Sequence, residues 1–171
     1  MTIRPATEAD LPGILTIYND AVAHTTAVFE YRPQTLAMRR EWFHAKQAAS
    51  LPVFVATADD RVLGFSTYGP FRAWPAYKYT VELSVYVDTG ARRRGLGADL
   101  VRAIVTEARA RDLHVLMAGI TAENAISLRL HERLGFVEVA HIAQVGFKFG
   151  QWLDLKFLQL VLDGPAHPVE P

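Results

Sequence analysis

Arg92-Arg93-Arg94-Gly95-Leu96-Gly97-Ala98 stands between two stretches of opposite periodicity. Upstream, from Tyr79 to Val87, Val81, Leu83, Val85 and Val87 alternate with Thr80, Glu82, Ser84 and Tyr86, the period of a strand. Asp88-Thr89-Gly90 closes that strand. Downstream, Leu96, Leu100, Val101, Ile104, Val105 and Ala108 fall on one helical face. The quoted stretch is therefore a strand-to-helix turn rich in arginine and glycine. A helix start presents unpaired N–H groups and a partial positive charge, which together suit a phosphate. Glycines at 95 and 97 remove side chains that would block close approach of the backbone, and the three arginines add charge-assisted donors. The stretch reads as a pyrophosphate cradle; the alternative is a plain helix start with solvated arginines. It is neither the G-x-G-x-x-G of a dinucleotide fold nor a P-loop, which needs Gly-Lys-Ser/Thr.

Working outward, Leu113 to Ala118 is a short apolar strand. Asn124 to Leu134 is a helix stopped by Gly135, the residue type suited to a left-handed C-terminal cap. Phe136–Val145 and Trp152–Leu162 read as two last strands around Gly146–Gly150. Toward the N-terminus, Thr7-Glu8-Ala9-Asp10 resembles a capping box for a helix from Ala9 to His24. A second helix follows Pro33 and ends near Ala49, ahead of Pro52. Val53–Ala56 and Val62–Tyr68 form a hairpin on Asp59-Asp60, and an aromatic loop leads on to Tyr79. With a first strand at the N-terminus, the order is strand, two helices, three strands, helix, strand, helix, two strands. It predicts an α/β (α+β) fold with a mixed sheet, as one domain over 1–163. The tail 164–171, with three prolines, is expected to be flexible.

Composition narrows the function. The 171 residues carry 18 basic and 18 acidic side chains and no cysteine. A balanced charge offers no broad field to a nucleic acid or an anionic membrane. Without cysteine there is no disulfide, zinc ribbon or thiol nucleophile, and the histidines lack metal-ligand spacing, so no metal is expected. No apolar run approaches the ~20 residues of a membrane helix, and a cytoplasmic protein is expected.

Arg92-x-x-Gly95-x-Gly97 matches the pattern Q/R-x-x-G-x-G/A, and Asn124, Ser127, His131 and Gly135-Phe136 follow at the spacing of a second pattern, with His131 where tyrosine is usual. On these residues and the element order, nearly the whole chain resembles the GNAT superfamily of acyl-CoA N-acyltransferases. Ile17–Val22, Val81–Val87, Leu130-His131-Glu132 and Lys148-Phe149-Gly150-Gln151-Trp152 resemble its phosphinothricin/methionine sulfoximine N-acetyltransferase subfamily, in which histidine at position 131 is normal. The resemblance implies the GNAT fold, a mostly antiparallel mixed sheet of about seven strands flanked by about four helices. It implies acetyl-CoA as co-substrate, a small amine as acceptor and a homodimer.

It also assigns residues. Acetyl transfer needs a neutral amine, so a base must take a proton from the α-ammonium. Glu82, in phase with the polar members of its strand, is the expected base; the alternative is a carboxylate facing solvent or paired with arginine. Backbone groups of Ser84, Val85, Tyr86 and Val87 are expected to meet the oxyanion and pantetheine. Arg92, Arg93, Arg94, Gly95, Leu96, Gly97 and Ala98 would hold the pyrophosphate, with Asn124 and Ser127 on the pantetheine or adenine-side arm. His131 is either a proton donor to the departing thiolate, an orienter of water or amine, or structural. For the acceptor, Arg72 would bind a carboxylate, and Phe29, Ala73, Trp74, Tyr77, Lys148 and Phe149 would wall the pocket; core or dimer packing is the alternative for the aromatics. Other acceptors (a polyamine, an aminoglycoside, a protein N-terminus) and a non-catalytic acyl-CoA-binding module are the competing functions.

Overall fold

Strand β4, Thr80–Val87, is the axis of the computed structural model, which describes residues 1–170. Its odd residues Val81 and Leu83 are buried against Val101, Ile104 and Ala108 of helix α3, Leu96–Ala110. On the other side of the sheet Tyr86 and Phe65 meet Leu11, Ile14 and Ile17 of α1, Leu11–His24, and Phe43 of α2, Leu36–Ala48. Period-two alternation thus supplies both cores from one strand. Each fully buried Leu or Ile there contributes about 1.5–3 kcal/mol.

The remaining strands are β1, Thr2–Pro5, β2, Val53–Ala58, β3, Arg61–Pro70, β5, Val115–Thr121, β6, Val137–Lys148, and β7, Gln151–Val161. They form one seven-stranded sheet in the order β1-β2-β3-β4-β5-β7-β6. Every pair is antiparallel except β4 with β5. That parallel pair requires a crossover, which α3 provides. With α4, Ala125–Arg133, the sheet has two helices on each face, matching the expected seven strands and four helices.

Local chemistry explains the ends. Asp10 receives both guanidinium nitrogens of Arg4 at 2.7 and 2.8 Å and the Thr7 N–H at 2.7 Å. The capping box encloses a 3-10 turn, Glu8–Asp10, so α1 begins at Leu11 rather than at Ala9. Asp59 and Asp60 both take positive φ, as a two-residue hairpin demands. The β6–β7 hairpin also turns on two residues, Phe149 and Gly150. Gly146 and Phe147 are strand residues, where the sequence suggested a longer connection. The C-terminal segment is held at the starts of β4 and β5: Val169 N–H donates to Tyr79 Oη at 3.1 Å, and His114 Nδ1 lies 2.8 Å from the Gly164 carbonyl. No helix among the described residues is long and apolar enough to cross a membrane.

Candidate active site

Strands β4 and β5 pair only through Thr80–Glu82 and Val115–Met117. Beyond Glu82 each keeps its outer neighbour and leaves the other. β4 stays with β3 as far as Val87, and β5 stays with β7 as far as Thr121. The strands part, and the edge of β4 from Leu83 onward has no strand beside it. A cavity of about 70 Å³ opens there, lined by Leu83–Tyr86 of β4, Ala118–Thr121 of β5, Asn124, Ser127 and His131 around α4, and Ala27.

Glu82 is the last paired residue before the strands separate. Its carboxylate lies against Gly119: a Cβ built there would come 2.9 Å from Glu82 Oε1. Gly119 and the next residue of β4, Leu83, both line the cavity, so the carboxylate lies one residue from its lining. Burial raises the Glu82 pKa, and the nearby Arg72 guanidinium partly opposes the rise. Such a carboxylate is a stronger base than a solvated one.

His131 is buried at the opposite wall. Its Nδ1 lies 2.9 Å from the Ser127 carbonyl. A carbonyl only accepts, so Nδ1 carries the hydrogen and Nε2 keeps a lone pair. In this tautomer Nε2 is a buried lone pair without a protein partner, and burial lowers the ring's pKa. The backbone is held as well, because the His131 carbonyl accepts from the Leu134 and Phe136 N–H groups around Gly135. Asn124 caps α4, its Oδ1 accepting from Ser127 N at 3.1 Å. Its side-chain oxygen is thus engaged by the helix. The Tyr86 side chain, on the same sheet face as Glu82 and Ser84, packs against Tyr18 and Phe65, and burial pushes its phenol up to about 12.

At the other end, Gly95 takes φ +80° as N-cap of α3 without a side-chain cap. The N–H groups of Leu96, Gly97 and Ala98 have no acceptor among the described residues. Arg92, Arg93 and Arg94 are exposed around them. Uncapped donors, a helix dipole and three guanidinium groups fit a pyrophosphate. The two glycines differ in purpose. A Cβ at 95 would meet nothing within 4 Å, so conformation alone calls for glycine; at 97 it would come 2.9 Å from Leu130 Cδ1. Gly97 also permits close packing of α3 on α4, a second reason for glycine beside the backbone approach expected from the sequence.

The acceptor-side residues divide. Arg72 stacks on Phe71 with 4.2 Å from guanidinium carbon to ring centroid and influences Glu82. Ala73, Trp74 and Tyr77 instead line, with Arg72, a separate open hollow reaching Tyr68 and Arg111. Phe29 packs on Gly146, and Phe149 sits exposed at the β6–β7 turn. Lys148 is corrected most: its ammonium is buried and donates to the carbonyls of Val22, Thr25 and Val28 at 2.7, 2.9 and 2.7 Å. It has no proton left for an acceptor. Sequence reasoning missed Gly119, Thr121 and Ala27. The first two lie where the apolar run of β5 was judged to end, and Ala27 carried no signal. No cluster of metal-ligating side chains occurs among the described residues.

A splayed parallel pair beside an uncapped, arginine-ringed helix start is the architecture of the N-acyltransferases that the sequence resembles. The acetyltransferase (GNAT) domain family matches residues 3–156, and the chain belongs to that family. It is 50% identical over 163 residues to the L-methionine sulfoximine/L-methionine sulfone acetyltransferase of Pseudomonas paraeruginosa, covering 95% of each chain. It is 38% identical over 160 residues to the phosphinothricin N-acetyltransferase of Streptomyces coelicolor, covering 92% of this chain and 94% of that one. The yncA protein of Salmonella typhimurium, solved with its cofactor acetyl-CoA, superposes with a TM-score of 0.96 at 44% identity, covering 99% and 98%. The chain is thus an N-acetyltransferase of the GNAT fold.

Proposed function

We propose that this enzyme transfers acetyl from acetyl-CoA directly to the α-amine of a small amino acid or analogue of the methionine sulfoximine or phosphinothricin type. The observation that carries the reading is the half-buried Glu82 carboxylate at the point where β4 and β5 part, with Arg72 beside it. The names of the relatives support the substrate class, and the acetyl-CoA complex of a 44% identical neighbour supports the co-substrate.

Bound acetyl-CoA supplies an activated thioester. The N-terminal amides of α3 and Arg92–Arg94 hold its pyrophosphate, and the unpaired edge of β4 receives the pantetheine amides. Arg72 attracts the acceptor's carboxylate, which sets the α-ammonium near Glu82. Glu82, its affinity for protons raised by burial, takes one proton directly or through a water. The freed amine forms the C–N bond, the C–S bond breaks, and the thiolate leaves with a proton from solvent or from the amide-forming nitrogen. Backbone N–H groups of β4 stabilise the developing oxyanion. His131 Nε2 accepts a hydrogen bond from the amine or a bound water and so orients it. With no cysteine in the chain, transfer has no acyl-thioenzyme stage. Val139, Val145, Phe147 and Trp152 form an exposed apolar strip on β6 and β7, which supports a homodimer through that hairpin.

The test is thiol release from acetyl-CoA against L-methionine sulfoximine, phosphinothricin, common amino acids and polyamines. Turnover with the α-amino acids and none with polyamines is expected. Preference for polyamines would replace this reading with a cationic acceptor, which the guanidinium beside Glu82 disfavours.

A further inference from the structure

We infer that Lys148 is a positioning residue, whose ammonium fastens the chain between α1 and α2 so that Thr26 and Ala27 form a wall of the acetyl-transfer cleft. The inference rests on the proposed function for its kinetic consequence and on geometry for the rest.

An ammonium has three donors, and all three are spent on the carbonyls of Val22, Thr25 and Val28. Val22 lies in the last turn of α1 and Thr25 is its C-cap, so two of these carbonyls belong to the group a helix end leaves short of partners. Lys148 therefore caps α1 from a distant strand and draws the following loop onto the cap. The side chain is 4% exposed, no carboxylate contacts it among the described residues, and the Phe149 ring covers it at 4.9 Å. Burying a charge in this way costs free energy unless each donor is satisfied. An apolar residue would fill the space without that cost, but it would gather no carbonyls.

The gathered loop reaches the cleft. Ala27 lines the cavity, and Thr26 Oγ1 lies 3.3 Å from Oγ1 of Thr121 on β5. Two neighbours of Lys148 on β6 hold the same loop. Tyr31 Oη donates to the Phe147 carbonyl at 2.6 Å, and the Phe29 ring occupies the space that a side chain at Gly146 would need. Three successive strand residues thus grip a loop that has no regular structure of its own. The pyrophosphate cradle, at the start of α3, shares none of these contacts.

Lys148→Met keeps the apolar stem and removes the donors. Expected are faster amide exchange in residues 25–31 and an acceptor KM raised about tenfold or more, since small misplacements are amplified in kinetics. The Kd for acetyl-CoA should rise by a clearly smaller factor than the acceptor KM, because the pyrophosphate cradle is remote and only the pantetheine edge of β4 shares the cavity with Ala27. Tyr31→Phe, which removes one exposed fastening, should fold normally and shift exchange and acceptor KM in the same direction by a smaller factor. Unchanged exchange and KM in a folded Lys148→Met overturns the inference, as does equal loss of acetyl-CoA affinity. If Lys148→Met does not fold, an unchanged Tyr31→Phe overturns it. Should the wild type acetylate no amino acid, the proposed function fails while exchange and acetyl-CoA binding still decide the role of Lys148.

Discussion

Gly119→Ala isolates the geometry of the base. The added Cβ would come 2.9 Å from Glu82 Oε1 and 3.3 Å from Phe157 Cε1. A carbon–oxygen contact settles near 3.3–3.6 Å, so the carboxylate must retreat by roughly 0.5 Å, while the Phe157 ring yields only slightly. The displaced atom ends a flexible side chain, and alanine is no worse than glycine in a strand. Stability should therefore hold within about 1 kcal/mol. Catalysis should not, because a misplacement near 1 Å can cost about 100-fold. Half that displacement corresponds to about tenfold in kcat, or roughly 1.4 kcal/mol of barrier. The assay is steady-state thiol release at saturating acetyl-CoA, paired with a thermal melt. In a Glu82→Gln background the alanine should add little, since the group it disturbs is already disabled. A kcat within twofold of wild type, or a loss that persists in full on Glu82→Gln, would refute the placement of Glu82 over Gly119.

Other consequences follow from the same contacts. Asp10→Asn weakens charge-assisted bonds from the partly exposed Arg4 and should cost about 0.5–1 kcal/mol in urea unfolding at neutral pH. The hydrogen bond from Arg4 leads the causes that hold the Asp10 pKa below its ordinary value. Its contribution is therefore present above the unfolded value of about 3.9 and is lost as pH falls through the depressed folded value; the gap between wild type and variant should close there. Gly95→Ala, strained by φ +80° but free of clash, should lose about 1 kcal/mol and raise the KM for acetyl-CoA more than it lowers kcat. Because burial depresses the His131 pKa, the pH–rate profile should show no inflection at or above about 6.5, the ordinary histidine value, that His131→Gln removes.

Strong periodicity made most of the fold readable. Val81–Val87 and Leu96–Ala108 fixed the strand and helix beside the cradle, and Gly135 marked the end of α4 within a residue. Apart from the start of α1, which a local 3-10 turn delays to Leu11, the differences concern positions whose partners lie far along the chain. Gly119 and Thr121 looked like the end of β5, yet pairing with β7 carries the strand to Thr121. Gly146 looked like a breaker, whereas its missing side chain makes room for Phe29. Gly97 read only as clearance for a ligand, whereas its missing side chain also makes room for Leu130 from α4. Lys148 read as a free cation, because nothing local announces that three carbonyls from residues 22–28 will enclose it. Glu82 and His131 could be named from motif position, but the tautomer of His131 needed the Ser127 carbonyl, one turn away on the helix.

The most direct test of the central claim is the pH dependence of kcat/KM for L-methionine sulfoximine, in wild type and Glu82→Gln, with acetyl-CoA binding measured alongside. Burial raises the Glu82 pKa, and only the ionised carboxylate can take the proton. The wild-type rate should therefore climb with pH through an inflection above the ordinary glutamate value of about 4.3. The variant should lack that inflection and lose about 100-fold or more in rate, with acetyl-CoA affinity unchanged. A Glu82→Gln enzyme with the wild-type profile and rate would contradict the account.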